Sequence, residues 1–308
     1  MTLLSTIHHT GFAALLAENG VEYFHGHWDK SQRDIPSNAK IINSSEVFFN
    51  KKIKSLLTNH ARKDILVICF YFLTRKKIFM IVHGELFRES RNTLRRNAKL
   101  IFHWLMIAIC KLSNGDVFYI QKSCAISFGD IYGKEITNST EKFFKNNTCQ
   151  SNKNRLIVIA NDYSRKQFDH KFVEKISRIL NKDIFLIGKS NQIFSGDYNC
   201  IEPKNYYEYK NELLKGGILI NCLIPPEAPY NTSILEALWL GMPMISRKRF
   251  IESGFKINFF NYDLSNLNMD FDNWISLFDP FLQKKALSEN EKLKSFKNYT
   301  KYMIEKSK

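Results

Sequence analysis

The sequence predicts an α/β protein with two Rossmann-like doubly wound domains that face a crevice, at residues 1–150 and residues 151–308. Short apolar runs without polar alternation recur along the chain, and such runs are typical of strands buried inside a parallel sheet. Segments with helical spacing of apolar residues separate the runs, as in βαβ units. A polar stretch at residues 136–155 divides them into two series, so we place the domain boundary there.

The first domain opens with a strand, a loop, a helix and a second strand. Residues 1–6 form the first strand, and residues 12–17 form a helix that ends at Asn19 and Gly20. The second strand occupies residues 21–24. In a doubly wound sheet, the loop after the first strand faces the ligand crevice. Gly11 lies in that loop, where a tight turn brings the backbone close to a ligand, so we interpret it as a binding residue.

The same alternation continues to the end of the chain. In the first domain we expect helices at residues 46–58 and 87–112, and strands at residues 40–42, 64–70, 77–82 and 117–121. In the second domain we expect strands at residues 156–160, 183–187 and 218–222, and helices at residues 169–180 and 206–214. Leu293, Phe296, Thr300 and Met303 have helical spacing and predict a C-terminal helix.

The formal charge of +15 limits the kinds of partner that fit this chain. Nucleic acid, an anionic membrane and a phosphate-rich substrate are all compatible with such a charge. Zinc-finger spacing, an RNP motif and a helix-turn-helix pattern are all missing from the sequence, which argues against nucleic acid. Heavy use of lysine, asparagine, isoleucine and phenylalanine is also what an AT-rich genome produces, and this alternative stays open.

Cysteine usage and the apolar runs bear on the compartment. The six cysteines form no CxxC pair, which is typical of reduced thiols in the cytosol. We see no signal peptide, and the longest apolar run, at residues 100–110, is too short to span a bilayer. We therefore expect a cytoplasmic protein.

The segment at residues 225–246 is the most informative part of the chain. It predicts a loop, a helix that begins at Thr232 or Ser233, a stop at Gly241-Met242-Pro243 and a strand from Met244. Ser233 and Glu236 have the spacing of a capping box. Free N–H groups and the helix dipole make this N-terminus an anion site, and Glu236 lies one turn further on, within reach of hydroxyl groups. A phosphate beside a sugar diol is what a nucleotide offers, so we interpret Asn231, Thr232, Ser233 and Glu236 as nucleotide-binding residues.

This segment resembles the C-terminal motif of the group 1 (family 4) retaining glycosyltransferases, which have the GT-B fold. In that family a loop with a glutamate leads to a helix whose own glutamate precedes alanine, followed by Gly-x-Pro and a strand. Glu236, Ala237, Gly241 and Pro243 match this pattern. The upstream glutamate usually lies eight residues before the helix glutamate, whereas Glu227 lies nine before it. The resemblance implies a catalytic role for Glu227, retention of the anomeric configuration, and a C-terminal helix folded back onto the first domain.

Further residues gain roles from the same resemblance. His83 follows a buried strand and precedes Gly84, which resembles the family's histidine facing the donor sugar; alternatively, it closes the strand with a backbone hydrogen bond. Arg165 and Lys166 follow the first strand of the second domain, where the family grips the diphosphate with an arginine and a lysine several residues apart. A solvated basic loop is the alternative there. Gly188 ends the next strand, where the nucleotide base commonly docks, and Tyr206 or Tyr207 either stacks on the ligand or packs.

A third group of residues concerns metal and membrane. Asp270-Phe271-Asp272 is a DxD, but it lies in a late, loop-like segment, so we interpret it as a coincidence and expect no essential metal or other cofactor. Arg88, Arg91 and Arg95 share one face of the helix at residues 87–112, with Arg96, Lys99 and Trp104 nearby. Basic and aromatic residues together favour contact with an anionic membrane. A core helix with solvated first turns is the alternative.

Taken together, these residues predict a glycosyltransferase that moves a sugar from a nucleotide-diphosphate sugar to a saccharide or lipid-linked saccharide acceptor. We expect a role in bacterial surface polysaccharide synthesis, such as lipopolysaccharide, O-antigen or capsule, at the inner face of the plasma membrane. The alternative is a non-catalytic relative that binds nucleotide or glycan within a glycosylation complex. A basic nucleic-acid-binding protein is disfavoured, because the basic residues are scattered over two enzyme-like sheets.

Overall fold

The computed structural model of the protein describes part of the chain in detail. These residues are 3–6, 23–26, 39–58, 64–82, 93–119, 134–135, 142–160, 162–165, 168–189, 198–224, 232–246, 260–261, 263–293, 302–303 and 305–306. The chain divides into two compact units. The first contains Met1–Ser139 and Lys294–Lys308, and the second contains Thr140–Leu293.

Within its described residues, the first unit is a parallel sheet of seven strands with three helices. The strands are β1 (Leu3–Ser5), β2 (Tyr23–Gly26), β3 (Ala39–Ile42), β4 (Ser55–Thr58), β5 (Lys77–Val82), β6 (Val117–Tyr119) and β7 (Lys134–Glu135). The helices are α1 (Ser44–Phe49), α2 (Ile65–Leu73) and α3 (Thr93–Leu112). The strand order is β3-β2-β1-β4-β5-β6-β7, which reverses between β1 and β4 as in doubly wound sheets.

The second unit repeats this arrangement, again within the described residues. Its strands are β8 (Arg155–Ala160), β9 (Asp183–Gly188), β10 (Tyr198–Ile201), β11 (Ile218–Asn221), β12 (Met244–Ser246) and β13 (Phe260–Asn261). Its helices are α4 (Lys142–Asn146), α5 (His170–Leu180), α6 (Tyr206–Leu214), α7 (Thr232–Trp239), α8 (Leu267–Leu277) and α9 (Pro280–Leu293). The parallel order β10-β9-β8-β11-β12-β13 reverses between β8 and β11.

Each sheet packs against its helices, and the buried apolar side chains between them form a separate hydrophobic core in each unit. In the second unit β8 is buried along its whole length, as expected for a central strand of a parallel sheet. In the first unit one buried cluster joins strand residues such as Leu56 and Ile78 to Val47 of α1, Ile68 of α2 and Ile107 of α3. The three helices therefore cover the same face of that sheet.

Two predictions of secondary structure in the first unit are wrong. The helix expected at residues 46–58 ends at Phe49, and β4 follows at Ser55–Thr58. The start of that helix is fixed by a capping box between Asn43 and Glu46. The run at residues 64–70, expected as a strand, is instead the cap residue Asp64 followed by the first six residues of helix α2. An apolar run without alternation fits a buried strand and a buried helix equally well, and here Ile68 and Tyr71 are buried at helical spacing.

Residues near the C-terminus contact Asp116 in the first unit. Tyr302 Oη donates a hydrogen bond to the Asp116 carboxylate, and Lys306 Nζ lies 3.0 Å from Oδ2. Lys111 Nζ lies 2.6 Å from Oδ1. Burial alone raises the pKa of Asp116, but the hydrogen bonds from Lys111, Tyr302 and Lys306 outweigh it and lower the pKa to about 2. The carboxylate is therefore ionised at neutral pH and ties this segment to the sheet.

No helix in the described part of the chain is both long and apolar enough to cross a membrane.

The Gly-x-Pro pattern ends α7 for a structural reason. Gly241 N–H donates to the Leu238 carbonyl at 3.0 Å, and Met242 N–H donates to the Ala237 carbonyl at 3.2 Å, which are the two bonds of a Schellman motif. Gly241 has φ +85°, and a Cβ atom there would lie 2.8 Å from Pro280 Cβ. Only glycine meets both demands, the left-handed backbone and the close approach of α9.

We therefore expect Gly241→Ala to destabilise the protein. The left-handed backbone costs an L-residue about 1–2 kcal/mol, and the contact with Pro280 adds to that loss. Urea denaturation measures the change, with the slope of the unfolding transition checked for two-state behaviour. An unchanged midpoint would contradict the geometry described for this helix end.

Candidate functional site

The order reversal in the second sheet brings several predicted site residues to one edge. In doubly wound sheets, ligands bind at the carboxyl ends of the strands where the strand order reverses. Here β8 and β11 are the neighbouring strands at that point. Arg165 follows β8, Gly188 ends β9, and Ser233 lies near the start of α7, which follows β11. The sheet topology thus collects residues that are far apart in sequence.

Backbone hydrogen bonds fix the loop that carries Arg165. Tyr163 N–H donates to the Lys189 carbonyl at 2.7 Å, which ties the loop to the end of β9. Phe168 forms an antiparallel bridge with Leu223, and Asp169 N–H donates to the Cys222 carbonyl at 2.9 Å. The backbone of Arg165 is therefore held between the ends of β9 and β11.

Tyr163 anchors this loop through its buried ring, a role that was not predicted from the sequence. Its ring is fully buried and packs edge-on against His170, with 4.4 Å between the ring centroids. Burial raises the pKa of Tyr163 far above its ordinary value and raises the pKa of the neighbouring Tyr198 to about 12. Both phenols are neutral at physiological pH. An aromatic residue inside an otherwise polar loop was the only signal in the sequence.

Arg165 is exposed and pairs with an acidic residue of its own loop. Its Nε lies 3.3 Å from Asp162 Oδ2, and Ser164 Oγ donates to Asp162 Oδ1 at 2.5 Å. The bond from Ser164, with the weaker contribution of Arg165, lowers the pKa of Asp162. An exposed ion pair contributes about 0–1 kcal/mol, so an anionic ligand competes readily with Asp162 for the guanidinium group.

Gly188 has a structural requirement that is independent of any ligand. Its φ is +143°, and a Cβ atom at this position would lie 1.5 Å from the carbonyl oxygen of Ala160, its partner on β8. Glycine is therefore needed for β8 and β9 to pair to their ends. Its predicted contact with the donor stays a prediction.

Glu236 is buried and bound by two tyrosines of α6. Only 4% of the residue is exposed. Tyr206 Oη donates to Oε1 at 2.8 Å, and Tyr209 Oη donates to Oε2 at 2.8 Å. The two rings are stacked, with centroids 5.7 Å apart and planes inclined at 19°. Lys210 Nζ lies 4.7 Å from the centre of the Tyr206 ring. The carboxylate thus has a fixed orientation one turn inside α7.

These contacts change the interpretation of α7 and α6. The helix begins at Thr232, which makes Ser233 its second residue rather than the N-cap required by the expected capping box. Of the two tyrosines offered as stacking or packing residues, Tyr206 is partly buried and bonded to Glu236. Tyr207 is 68% exposed. No sequence pattern indicates that Tyr206 and Tyr209 contact Glu236, because the contact depends on how α6 packs.

The corresponding edge of the first sheet holds a buried polar cluster. Thr6 follows β1, Thr58 ends β4, and the hydroxyls of both donate to Asp64 Oδ2 at 2.5 Å. All three residues are buried. Asp64 precedes α2, and the strand expected at residues 64–70 offered no reason to single it out. The cluster joins the ends of β1 and β4 at the order reversal.

Other predicted residues lie outside the described part of the chain. They are Gly11, His83, Arg88, Arg91, Lys166, Glu227 and Asn231. Thr232 and Arg95 lie in described helices, but their side chains are not among the described ones. The roles given to all of these residues stay predictions.

The DxD lies on helix α8, so the loop-like segment expected there is wrong. Asp270 and Asp272 are exposed on α8, and Phe271 between them is buried in the core. Across the described residues, no group of three or more His, Cys, Asp or Glu side chains is arranged to hold a metal ion.

No protein-family model and no curated protein matches the sequence. Solved structures, in contrast, match over nearly the whole chain. The Anabaena protein Alr3699/HepE, solved with UDP-glucose, has a TM-score of 0.68 at 10% identity and covers 99% of this chain and 98% of its own. A glycosyltransferase from Rickettsia africae has a TM-score of 0.64 at 12% identity, with 98% of each chain covered. The lipopolysaccharide outer core galactosyltransferase WaaB has a TM-score of 0.60 at 11% identity, covering 99% of this chain and 100% of its own.

These structural neighbours are GT-B glycosyltransferases, and the chain has their fold. The expected fold, with two Rossmann-like domains, is therefore confirmed.

We expect Tyr206→Phe and Tyr209→Phe each to lower the free energy of unfolding by about 1.5–3 kcal/mol, since each removes one hydrogen bond to the buried carboxylate of Glu236. Tyr207→Phe is the matched control, because it makes the same change at an exposed position of the same helix. Urea denaturation of the three variants gives the comparison. Equal losses in all three would mean that the bonds to Glu236 contribute nothing.

Proposed function

We propose that the protein is a glycosyltransferase that moves a sugar from a nucleoside-diphosphate sugar to a saccharide or lipid-linked saccharide. The observation that carries this proposal is the set of residues at the carboxyl edge of the second sheet. A fixed loop with a cationic residue, Arg165, lies at the same edge as a helix start and its buried carboxylate, Glu236. A diphosphate and a ribose diol need these groups. The glycosyltransferase fold of the chain supports the proposal.

The donor is held by its diphosphate and its ribose. The free N–H groups at the start of α7 and the positive end of its dipole attract the phosphates, and Arg165 and Lys166 neutralise the charge of the leaving group. Glu236 accepts hydrogen bonds from the ribose hydroxyls. A carboxylate accepts about four hydrogen bonds, so bonding to Tyr206 and Tyr209 is compatible with this contact.

Transfer breaks one bond and forms another at the anomeric carbon. The bond to the phosphate oxygen breaks, and the nucleoside diphosphate leaves with the electron pair. The acceptor's hydroxyl oxygen then bonds to the same carbon and gives its proton to the departing phosphate oxygen. Cationic groups fixed near the diphosphate stabilise the transition state, because negative charge develops there. We assign the contact with the sugar to His83 and Glu227. We propose that the reaction retains the anomeric configuration and needs no essential metal.

The donor and acceptor are proposed from chemistry and from the neighbours. The Anabaena neighbour was solved with UDP-glucose, so we propose a uridine-diphosphate sugar as the first candidate donor. The neighbour WaaB is a galactosyltransferase of the lipopolysaccharide outer core, which supports a hexosyl donor and an acceptor in bacterial surface polysaccharide synthesis. We place the reaction in the cytoplasm, at the inner face of the plasma membrane.

We expect UDP and UDP-sugars to raise the melting temperature. A ligand at 100 times its Kd stabilises the folded state by about 2.7 kcal/mol. A thermal-shift screen of UDP-, GDP-, ADP- and CMP-sugars, each also tested as the free nucleotide, measures the effect. If no nucleotide or nucleotide sugar at millimolar concentration shifts the melting temperature, the assignment of the donor site is wrong. Binding without release of nucleoside diphosphate to any acceptor would favour the non-catalytic alternative.

We expect Glu236→Gln to weaken binding of the nucleotide by about 1.5–3 kcal/mol, since a charge-assisted hydrogen bond to the ribose is lost. Titration calorimetry with UDP gives the Kd, and urea denaturation gives the stability of the same variant. Glu289→Gln, an exposed position on α9, is the control. A normal Kd together with a lower free energy of unfolding would mean that Glu236 holds α6 and α7 together and does not bind the nucleotide.

A further inference from the structure

Helix α2 has an exceptional composition for a helix on the surface. All nine of its residues, Ile65–Leu73, are apolar or aromatic. A helix that is apolar on all sides is normally buried. Here Val67, Ile68 and Tyr71 face the core, whereas Leu66 and Leu73 on the opposite side are 74% and 78% exposed. The side that faces away from the sheet is therefore apolar and uncovered.

The neighbouring helices continue this exposed apolar face. On α3, Ile101, Leu105 and Leu112 follow the spacing of one helix face and are 69%, 55% and 72% exposed. On α1, Phe49 is 76% exposed and its ring contacts Phe70 of α2. Because α1, α2 and α3 cover the same face of the sheet, these side chains belong to one outer surface. We call it the outer helical surface: Phe49, Leu66, Leu73, Ile101, Leu105 and Leu112.

The charges beside this surface are mainly positive. Three lysines, Lys51, Lys52 and Lys54, are exposed in the segment between α1 and β4. Arg75 is exposed just after α2, and Lys111 is exposed in the last turn of α3. Because helices run antiparallel to the strands of a parallel sheet, these five residues lie at the same edge. In the described ranges 39–58, 64–82 and 93–119, Glu46 is the one acidic residue that is exposed.

Two exposed apolar residues of the second unit have the opposite surroundings. Met269 and Leu277 on α8 are 81% and 70% exposed. Asp263, Asp270 and Asp272, which are also exposed, lie in the same region of the chain. An apolar surface flanked by carboxylates is repelled by anionic lipid, whereas one flanked by lysine and arginine is attracted.

We propose that the outer helical surface docks on an anionic lipid bilayer. The six apolar side chains of this surface enter the interface between head groups and acyl chains, and Lys51, Lys52, Lys54 and Arg75 contact the phosphates. Apolar insertion combined with basic contacts is how interfacial helices bind membranes. This surface differs from the arginine face Arg88, Arg91 and Arg95 expected from the sequence. The proposal does not depend on transfer activity, because docking is measured without donor or acceptor.

The first experiment is co-sedimentation of the full chain with vesicles of phosphatidylcholine alone or mixed with phosphatidylglycerol. We expect wild type to pellet with the anionic vesicles and to lose binding as salt rises, because charges beyond about 8 Å are screened at physiological ionic strength. The variants Leu66→Gln/Leu73→Gln and Ile101→Gln/Leu105→Gln remove apolar side chains from α2 and α3. Each side chain that leaves water contributes a factor of about 10 to 100 to binding, so we expect each double variant to lose at least that factor.

The matched control is Met269→Gln/Leu277→Gln, which makes the same chemical change at equally exposed positions of the second unit. It should bind like wild type. Lys51→Gln/Lys52→Gln/Lys54→Gln tests the charges without touching the apolar side chains, and Lys171→Gln/Lys175→Gln on exposed positions of α5 is its control. We expect the lysine triple variant to lose binding to anionic vesicles. Far-UV circular dichroism and the melting temperature confirm that each variant is folded.

Three results would overturn the proposal. The first is wild type that does not pellet with anionic vesicles at low salt. The second is Arg88→Glu/Arg91→Glu/Arg95→Glu losing binding while the α2 and α3 variants retain it, which would return the contact to the arginine face. The third is a wild-type dimer in sedimentation velocity that becomes a monomer in the α2 and α3 variants without a change in vesicle binding. In that case the surface joins two copies of the chain.

Discussion

The parallel pairing of the strands constrains everything else in this protein. Parallel strands end at a common edge, so any residue that follows one strand lies beside residues that follow the neighbouring strand. At the order reversal the two adjoining connections leave in opposite directions, which opens space for a ligand between them. Arg165 and Glu236 lie at the same edge for this reason, although 70 residues separate them in sequence. Asp64, Thr6 and Thr58 meet in the first sheet by the same geometry.

The buried polar contacts at both edges keep these ends in register. At the second sheet, the loop after β8 is bonded to the ends of β9 and β11, so movement of one strand end would move Arg165. Glu236 performs a similar function between α6 and α7, because its two oxygens hold one tyrosine each. A buried carboxylate is costly without such partners. The same group can therefore stabilise the fold and present a charge to a ligand.

Most elements of residues 155–246 in the second unit were predictable from the sequence, and the reasons are local. Helix α6 follows the expected bounds, and Asp169 caps α5 because its side chain accepts a hydrogen bond from Phe172 N–H. Where the signal was ambiguous, prediction failed: the apolar run at residues 64–70 lacks the polar positions that distinguish a helix from a strand. The bonds from Tyr206 and Tyr209 to Glu236 are tertiary, and no spacing rule relates residues 27 and 30 positions apart. Tyr163 was missed because burial of a loop residue depends on the strands around it.

The contact between Asp116 and residues 302–306 has a consequence for synthesis of the protein on the ribosome. The first unit is discontinuous in sequence, since Met1–Ser139 is completed by Lys294–Lys308, whereas Thr140–Leu293 is contiguous. Domains generally fold in the order in which they emerge, but here the second unit can close while the first still lacks Tyr302 and Lys306. Until those residues emerge, Asp116 has Lys111 as its described cationic partner. The nascent chain therefore carries an unfinished first unit while the residues of the second unit emerge.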